Sequence, residues 1–204
     1  YNFKLLSYEH GQVTFLARNH FVADDWNVNN ANSGFIKDIT TTIKDPNGQS
    51  PVVYAVTTID KPNWYRMMLP QRVRVFFYPG DMQAQQLLNA LRAQASQVKS
   101  QRVSTPYIPL TALFNAAGQP NMQLFNQIPS GTVIEIVRPN WDLTKLIGTH
   151  LNVSHIGFAI KTPQGLMFRQ ASFDSNKVTQ LPLTAYLHEF IGTEVQGINL
   201  QQTL

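Results

Sequence analysis

The sequence predicts an α+β fold built on a central antiparallel sheet with packed helices. Three observations carry that prediction. The stretch "SHIGFAIKTPQGLMFRQAS" (154–172) is two apolar runs joined by the turn signal "KTPQG", which reads as a β-hairpin. The stretch "DMQAQQLLNALRAQASQVKSQ" (81–101) is amphipathic at helical spacing, with Ala84, Leu87, Leu88, Leu91, Ala95 and Val98 on one face. Strand-like and helical segments also come in blocks, without the βαβ alternation that marks a parallel sheet.

The remaining elements follow from local chemistry. "LLSYEHGQVTFLARNHFVADDW" (5–26) reads as a strand or turn region and then a polar loop, and "NVNNANSG" (27–34) reads as loop by composition. "DPNGQ" (45–49) is a turn, and "PVVYAVTTI" (51–59) is β-branched and aromatic, hence a strand. "RVRVFFY" (72–78) alternates and reads as a second strand. Asp81 follows Pro79-Gly80 and suits the N-cap of the amphipathic helix, which is expected to pack on a sheet. "TPYIPLTALFN" is an extended entry and then a short helix, "GQPNMQ" a turn, and "IPSGTVIEIVR" a turn followed by a buried strand. "RPNWDLTKLIGTHLN" reads as loop, "PLTAYLHEF" as a short helix and "TEVQGINL" as a last strand.

Composition narrows the function classes. A chain of 204 residues with 43% hydrophobic and 11% aromatic residues suits one domain with a sizeable core. Only 14% of residues are charged and the net charge is +4. Five basic residues (Arg72, Arg74, Arg92, Lys99 and Arg102) stand between residues 71 and 102 against one acid, Asp81. Such a patch attracts anionic polymers, but no nucleic-acid motif accompanies it, so a solvated face is the simpler reading and no nucleic-acid partner is expected. With no cysteine there is neither a disulfide nor a cysteine metal site. No apolar run reaches the length of a membrane span. The opening "YNFKLLSYEHG" carries no initiator Met and no signal segment, and the gene product is expected to start further upstream.

The search for chemistry leaves one residue. The five histidines show no HExxH and no helical i, i+4 pair, so neither metal nor cofactor is expected, although His150 and His155 lie five apart. No GxSxG elbow and no glycine-rich phosphate loop occurs. His155 sits where a loop enters a strand, and Gly157 lies two residues on, on the same face, where its missing side chain permits a close approach. If the strands pair around "KTPQG", Gln170 comes near enough to bond the imidazole. A bond to one ring nitrogen would fix the tautomer and free the other as a base. A buried structural histidine satisfied by a neighbour fits the same pattern.

At these residues the sequence resembles a known family. "HLNVSHIGFAIKTPQGLMFRQAS" followed by "KVTQLPLTAYL" resembles the C-terminal half of the N-acetylmuramoyl-L-alanine amidase-like family, relatives of the NlpC-type papain-like cell-wall hydrolases. Those proteins show a Thr-His-apolar-Gly stretch, a hairpin, a His-Ala-Ser and later a Tyr-Leu helix. "YEHGQVTFLARNHFVADDWNVNNANSGFIKDIT" resembles their upstream block, and "TPYIPLTAL" the segment before their central helix. The likeness runs from about residue 5 to 190 and is weakest over 45–100.

The resemblance implies a papain-like, NlpC-type fold, with 1–204 as the C-terminal portion of one amidase domain and 45–105 as a variable insertion. His155 is implied as general base. Gln170 stands where the family has a second histidine, and Asn152 where it often has Asp; both depart from the pattern. Arg18, Asn19, His20, Asp25 and Tyr107 are implied to bind substrate, with Trp26 beside them; for Arg18 and Asp25 a structural ion pair is the equal alternative. The family's cysteine would precede the "YEHG" strand, so this portion alone is expected to be inactive. The implied activity is cysteine-type hydrolysis of the N-acetylmuramoyl-L-alanine amide of peptidoglycan by a monomer in the periplasm or outside the cell. The alternatives are a stem-peptide endopeptidase and an inactive peptidoglycan- or partner-binding protein.

Overall fold

The structure is a computed structural model that describes residues 6–9, 12–15, 22–76, 82–172 and 174–204. In chain order its elements are β1 (Leu6–Glu9), β2 (Gln12–Phe15), a π-helical turn (Val22–Trp26), α1 (Asn27–Asn32), β3 (Ile36–Asp38), a 3-10 turn (Thr40–Thr42), β4 (Val53–Ile59), α2 (Lys61–Phe76), α3 (Met82–Ala95) and β5 (Gln101–Pro109). There follow α4 (Leu110–Leu113), α5 (Met122–Asn126), β6 (Val133–Leu143), α6 (Thr144–Ile147), β7 (Thr149–Thr162), β8 (Gly165–Ser172), β9 (Lys177–Pro182), α7 (Leu183–His188) and β10 (Gly197–Thr203). The chain divides into two compact units, one of Tyr1–Trp26, Thr57–Val103 and Asn140–Leu151, the other of Asn27–Val56, Ser104–Pro139 and Asn152–Leu204.

In the first unit, β1 and β2 form an antiparallel hairpin with Leu6 opposite Phe15. Asp60 starts α2: its Oδ1 accepts from the Asn63 amide at 3.1 Å and its carbonyl from the Trp64 amide at 3.0 Å, and Pro62 needs no partner in the first turn. Trp64 and Tyr65 bury side by side, ring centroids 4.9 Å apart, in a core with Ile59, Val103, Leu143 and Leu151. That anchor corrects the strand expected over 72–78, for the helix it begins runs on to Phe76. Four alternating residues fit either structure, and the upstream turns decide. The amphipathic helix is present as α3, and it packs against α2; Leu88 reaches the shared core. Its expected cap, Asp81, lies outside the described residues.

The loop expected over 138–152 is also corrected. Strand β6 continues to Leu143, where Asp142 Oδ1 accepts from the Thr144 amide at 2.9 Å and starts α6. Gly148, at φ +81°, ends that helix in the left-handed conformation.

The second unit carries the sheet that positions the site. Its strand order is β4-β5-β10-β6-β7-β8-β9, with β3 pairing the end of β10. The ladders of β3, β5 and β6 on β10, and of β7, β8 and β9 in series, are antiparallel, as the sequence predicts. At the centre, Ile198 of β10 lies opposite Ile108 on one side and Ile136 on the other. These residues join Phe125, Phe168, Leu183 and Leu187 in one apolar core beneath the short helices α4, α5 and α7. Each such buried side chain contributes about 1.5–3 kcal/mol. Residues 27–32, expected as loop, form α1; Gly34, at φ +72°, closes it with amide bonds from Gly34 to Ala31 (3.0 Å) and from Phe35 to Asn30 (2.9 Å). The short strands β3 and β9 were not anticipated. No described helix is long and apolar enough to cross a membrane.

Candidate active site

The site is built on the β7–β8 hairpin. Thr162 pairs with Gly165 across "KTPQG", and Gly165 adopts φ +116°, which a side chain would resist. From there the register runs Lys161 to Leu166, Ala159 to Phe168 and Phe158 to Arg169. Continued at the same step it sets Gly157 opposite Gln170, with His155 diagonal to it on the same face. The expected bond forms: His155 Nε2 and Gln170 Oε1 are hydrogen-bonded. The amide oxygen carries no hydrogen, so the shared hydrogen belongs to Nε2 and Nδ1 is left as the acceptor.

Gly157 explains how the imidazole is backed. A Cβ there would stand 2.5 Å from two ring carbons of Phe168 and 2.7 Å from the Arg169 carbonyl oxygen. The close approach that the sequence allowed is therefore taken by Phe168, a fully buried ring that meets the His155 ring edge-on at 6.2 Å. Tyr186 of α7 lies against the same Phe168 at 4.6 Å and Phe190 against Tyr186 at 5.1 Å. Burial, then the charges of Glu189 and Asp174, push the Tyr186 hydroxyl up to about 12, so it stays protonated. Burial holds His155 below the ordinary histidine range, and the Gln170 bond works in the opposite direction. At neutral pH His155 is an uncharged imidazole with one bare nitrogen, held in one tautomer.

The other sequence-predicted residues fall elsewhere. Arg18, Asn19 and His20 lie outside the described residues. Asp25 belongs to the first unit, where its carboxylate meets Lys61 Nζ at 2.8 Å, with side-chain exposures of 16% and 11%. Trp26 closes the π-helical turn of that unit. Tyr107 lies on β5 in the second unit, where burial raises its hydroxyl above the ordinary tyrosine range. Its neighbour Ile108 belongs to the apolar core, so by alternation Tyr107 points to the opposite face of the sheet. Asn152 is buried and donates to the Ala55 carbonyl at 2.9 Å and to Thr105 Oγ1 at 3.1 Å, which ties β7 to β4 and β5. His150 approaches Asp142 at 3.7 Å in the first unit. Among the described residues no group of three His, Cys, Asp or Glu side chains is placed to hold a metal. Arg92, Lys99 and Arg102 of the basic segment are exposed.

Sequence reasoning missed Phe168 beside the histidine and Tyr186 behind Phe168, and it missed Glu135. Phe168 and Tyr186 read as ordinary core. Glu135 had a signal: one carboxylate inside the apolar run "TVIEIV".

A family model described as N-acetylmuramoyl-L-alanine amidase-like matches residues 1–193. Protein LPG0564 of Legionella pneumophila, carrying the family model DUF1460, is 40% identical with a TM-score of 0.83, over 97% of this chain and 66% of that one. An N-acetylmuramoyl-L-alanine amidase of Bacteroides uniformis is 20% identical with a TM-score of 0.51, over 96% of this chain and 69% of that one. At that identity the second likeness is one of fold. The chain spans about two thirds of the length of either structure. No curated protein matches the sequence.

Proposed function

The chain belongs to the N-acetylmuramoyl-L-alanine amidase-like family, and on that premise we propose that it forms the histidine-bearing part of a peptidoglycan amidase of papain-like, NlpC-type fold. One observation carries the reading: a half-buried, neutral His155 whose Nε2–H is engaged by Gln170, leaving Nδ1 to take a proton. The nucleophile is a thiol. These 204 residues contain no cysteine, so it comes from outside them.

Nδ1 takes the thiol proton, and the thiolate adds to the carbonyl carbon of the amide between N-acetylmuramic acid and L-alanine. The tetrahedral intermediate collapses as the imidazolium returns that proton to the leaving amine, which departs as a peptide beginning with L-alanine. A thioester remains on the lactyl carbonyl. Water, losing a proton to Nδ1, attacks it and frees the muramic acid carboxyl, and the thiol is restored. Gln170 orients the imidazole throughout, and Asp25 and Tyr107 are left to the substrate role only as secondary candidates. On this reading the protein acts in the periplasm or outside the cell, where that substrate lies, and we take it to act there as a monomer.

A second reading is favoured by Gln170 itself. A neutral amide stabilises the imidazolium less than a charged partner would, as suits a protein that grips peptidoglycan without cutting it. The test is digestion of purified sacculi by the protein isolated from its native source. Soluble muropeptides with a free lactyl carboxyl, lost in His155→Ala, are expected. Peptides cut inside the stem would make it an endopeptidase, and sacculus binding without release would replace the amidase reading.

A further inference from the structure

The sheet face opposite the apolar core holds a buried polar row. Asn199 of β10 pairs with Glu135 of β6, and the β5–β10 register continued by one step brings Tyr107 to the other side of Asn199. Glu135 is fully buried, between Val133 and Val137 on its own strand face. Asn27, the first residue of α1, donates from Nδ2 to Glu135 Oε2 at 3.2 Å. The other oxygen of each group, Glu135 Oε1 and Asn27 Oδ1, is buried and has no hydrogen-bond partner. A buried acceptor without a donor is costly, and here two are left on planar groups already joined by one bond.

The surroundings decide what fills the gap. Asp38 of β3 is satisfied: it accepts from the Thr40 amide at 2.8 Å, from Asn199 Nδ2 at 2.8 Å and from Gln201 Nε2 at 3.0 Å. Its charge acts against a second negative charge on Glu135. From β10 the facing groups are Asn199 and Gln201, which do not titrate, and from β5 Tyr107, which does so far higher. Helix α1 (NVNNAN) brings no acid or base. A hard cation takes six or more oxygens, whereas the Glu135–Asn27 pair leaves two open. A proton needs two.

We infer that Glu135 is a neutral carboxylic acid that donates its hydrogen from Oε1 to Asn27 Oδ1, closing a two-bond acid–amide ring, and that this ring is a proton-operated latch fastening the start of α1 to the centre of the sheet. Burial, opposed by the Asn27 bond and helped by Asp38, pushes Glu135 up to about 8, so the latch is closed at neutral pH. Above that pH the carboxylate can still accept from Nδ2, but its second oxygen faces the Asn27 oxygen and the latch opens.

The sign of the effect follows from proton counting. Between the ordinary value of 4.5 and about 8 the folded chain holds a proton that the unfolded chain has lost. Stability therefore falls with rising pH across that window and levels above it. The test compares the chain with Glu135→Gln, whose carboxamide can make both ring bonds without titrating. Relative to the variant, the folding equilibrium constant of the wild type is expected to fall about tenfold per pH unit through the window. Its α1 amides should lose protection from hydrogen exchange above pH ~8, while the variant stays level in both. Parallel profiles would overturn the latch. So would a calcium- or sodium-dependent rise in melting temperature seen only with Glu135, which would put a cation there. If the variant does not fold, infrared spectroscopy of the wild type decides. A protonated-carboxyl C=O band at mildly acidic pH that vanishes above pH ~8 upholds the latch, and no such band refutes it.

Discussion

Substituting Gly157 by Ala tests how the histidine is backed. The new Cβ would stand 2.5 Å from two Phe168 ring carbons and 2.7 Å from the Arg169 carbonyl oxygen. Carbon atoms in ordinary contact lie about 3.5–4.0 Å apart, so roughly 1 Å of movement is required. The ring cannot simply swing away. Phe168 has no exposure, Tyr186 lies 4.6 Å from it, and the second obstacle is backbone of the paired strand. Overpacking costs about 1–3 kcal/mol where side chains can adjust, and the backbone contact puts this case near the upper end. For a chain of this size that lowers the melting temperature by roughly 4–12 °C. Thermal unfolding followed by circular dichroism reads it directly. A variant that melts within about 1 °C of the wild type would show that Phe168 is not wedged beneath the histidine, and the account of its fixed ring would fail.

Two further expectations concern charge. Asp25→Asn removes the carboxylate that accepts from the nearly buried Lys61 ammonium at 2.8 Å, and a loss of about 1.5–3 kcal/mol in urea unfolding is expected. An undisturbed fold would return Asp25 to the substrate-binding role. His155 should titrate below 6.5 by proton NMR, because burial disfavours its charged form. Between that midpoint and 6.5 the unfolded chain binds the extra proton, so stability rises with pH through that window, a rise expected to vanish in His155→Leu; a midpoint above 6.5 would contradict the buried, neutral imidazole.

Much of this was legible in the chain. "KTPQG" fixed the hairpin, and the register that follows from it is what brings His155 and Gln170 together. The helix over 82–95 showed its period plainly. In three stretches the composition points one way and the punctuation around it another. "NVNNANSG" is rich in loop formers, yet its glycine stops a helix. "RVRVFFY" alternates, yet the turns begun by Asp60 and anchored by Trp64 and Tyr65 had already committed it to helix. "RPNWDLTKLIGTHLN" looks polar, yet Trp141, Leu143, Ile147 and Leu151 face one core. The site was legible for the two residues that exchange a hydrogen bond. Phe168 and Tyr186 were not, because a ring that backs a polar side chain has the same sequence signature as one that merely fills space. Glu135 could have been read from its apolar surroundings, but its partner Asn27 lies 108 residues away and only the fold joins them.

The central claim is that Gln170 holds His155 in the tautomer that leaves Nδ1 free to accept a proton. Nitrogen-15 NMR of the imidazole at neutral pH tests it most directly. The account predicts a protonated Nε2 and a bare Nδ1 in the wild type, and mixed tautomers in Gln170→Leu. A hydrogen on Nδ1 of the wild type would contradict it, for the nitrogen assigned to the chemistry would then be unable to act as a base.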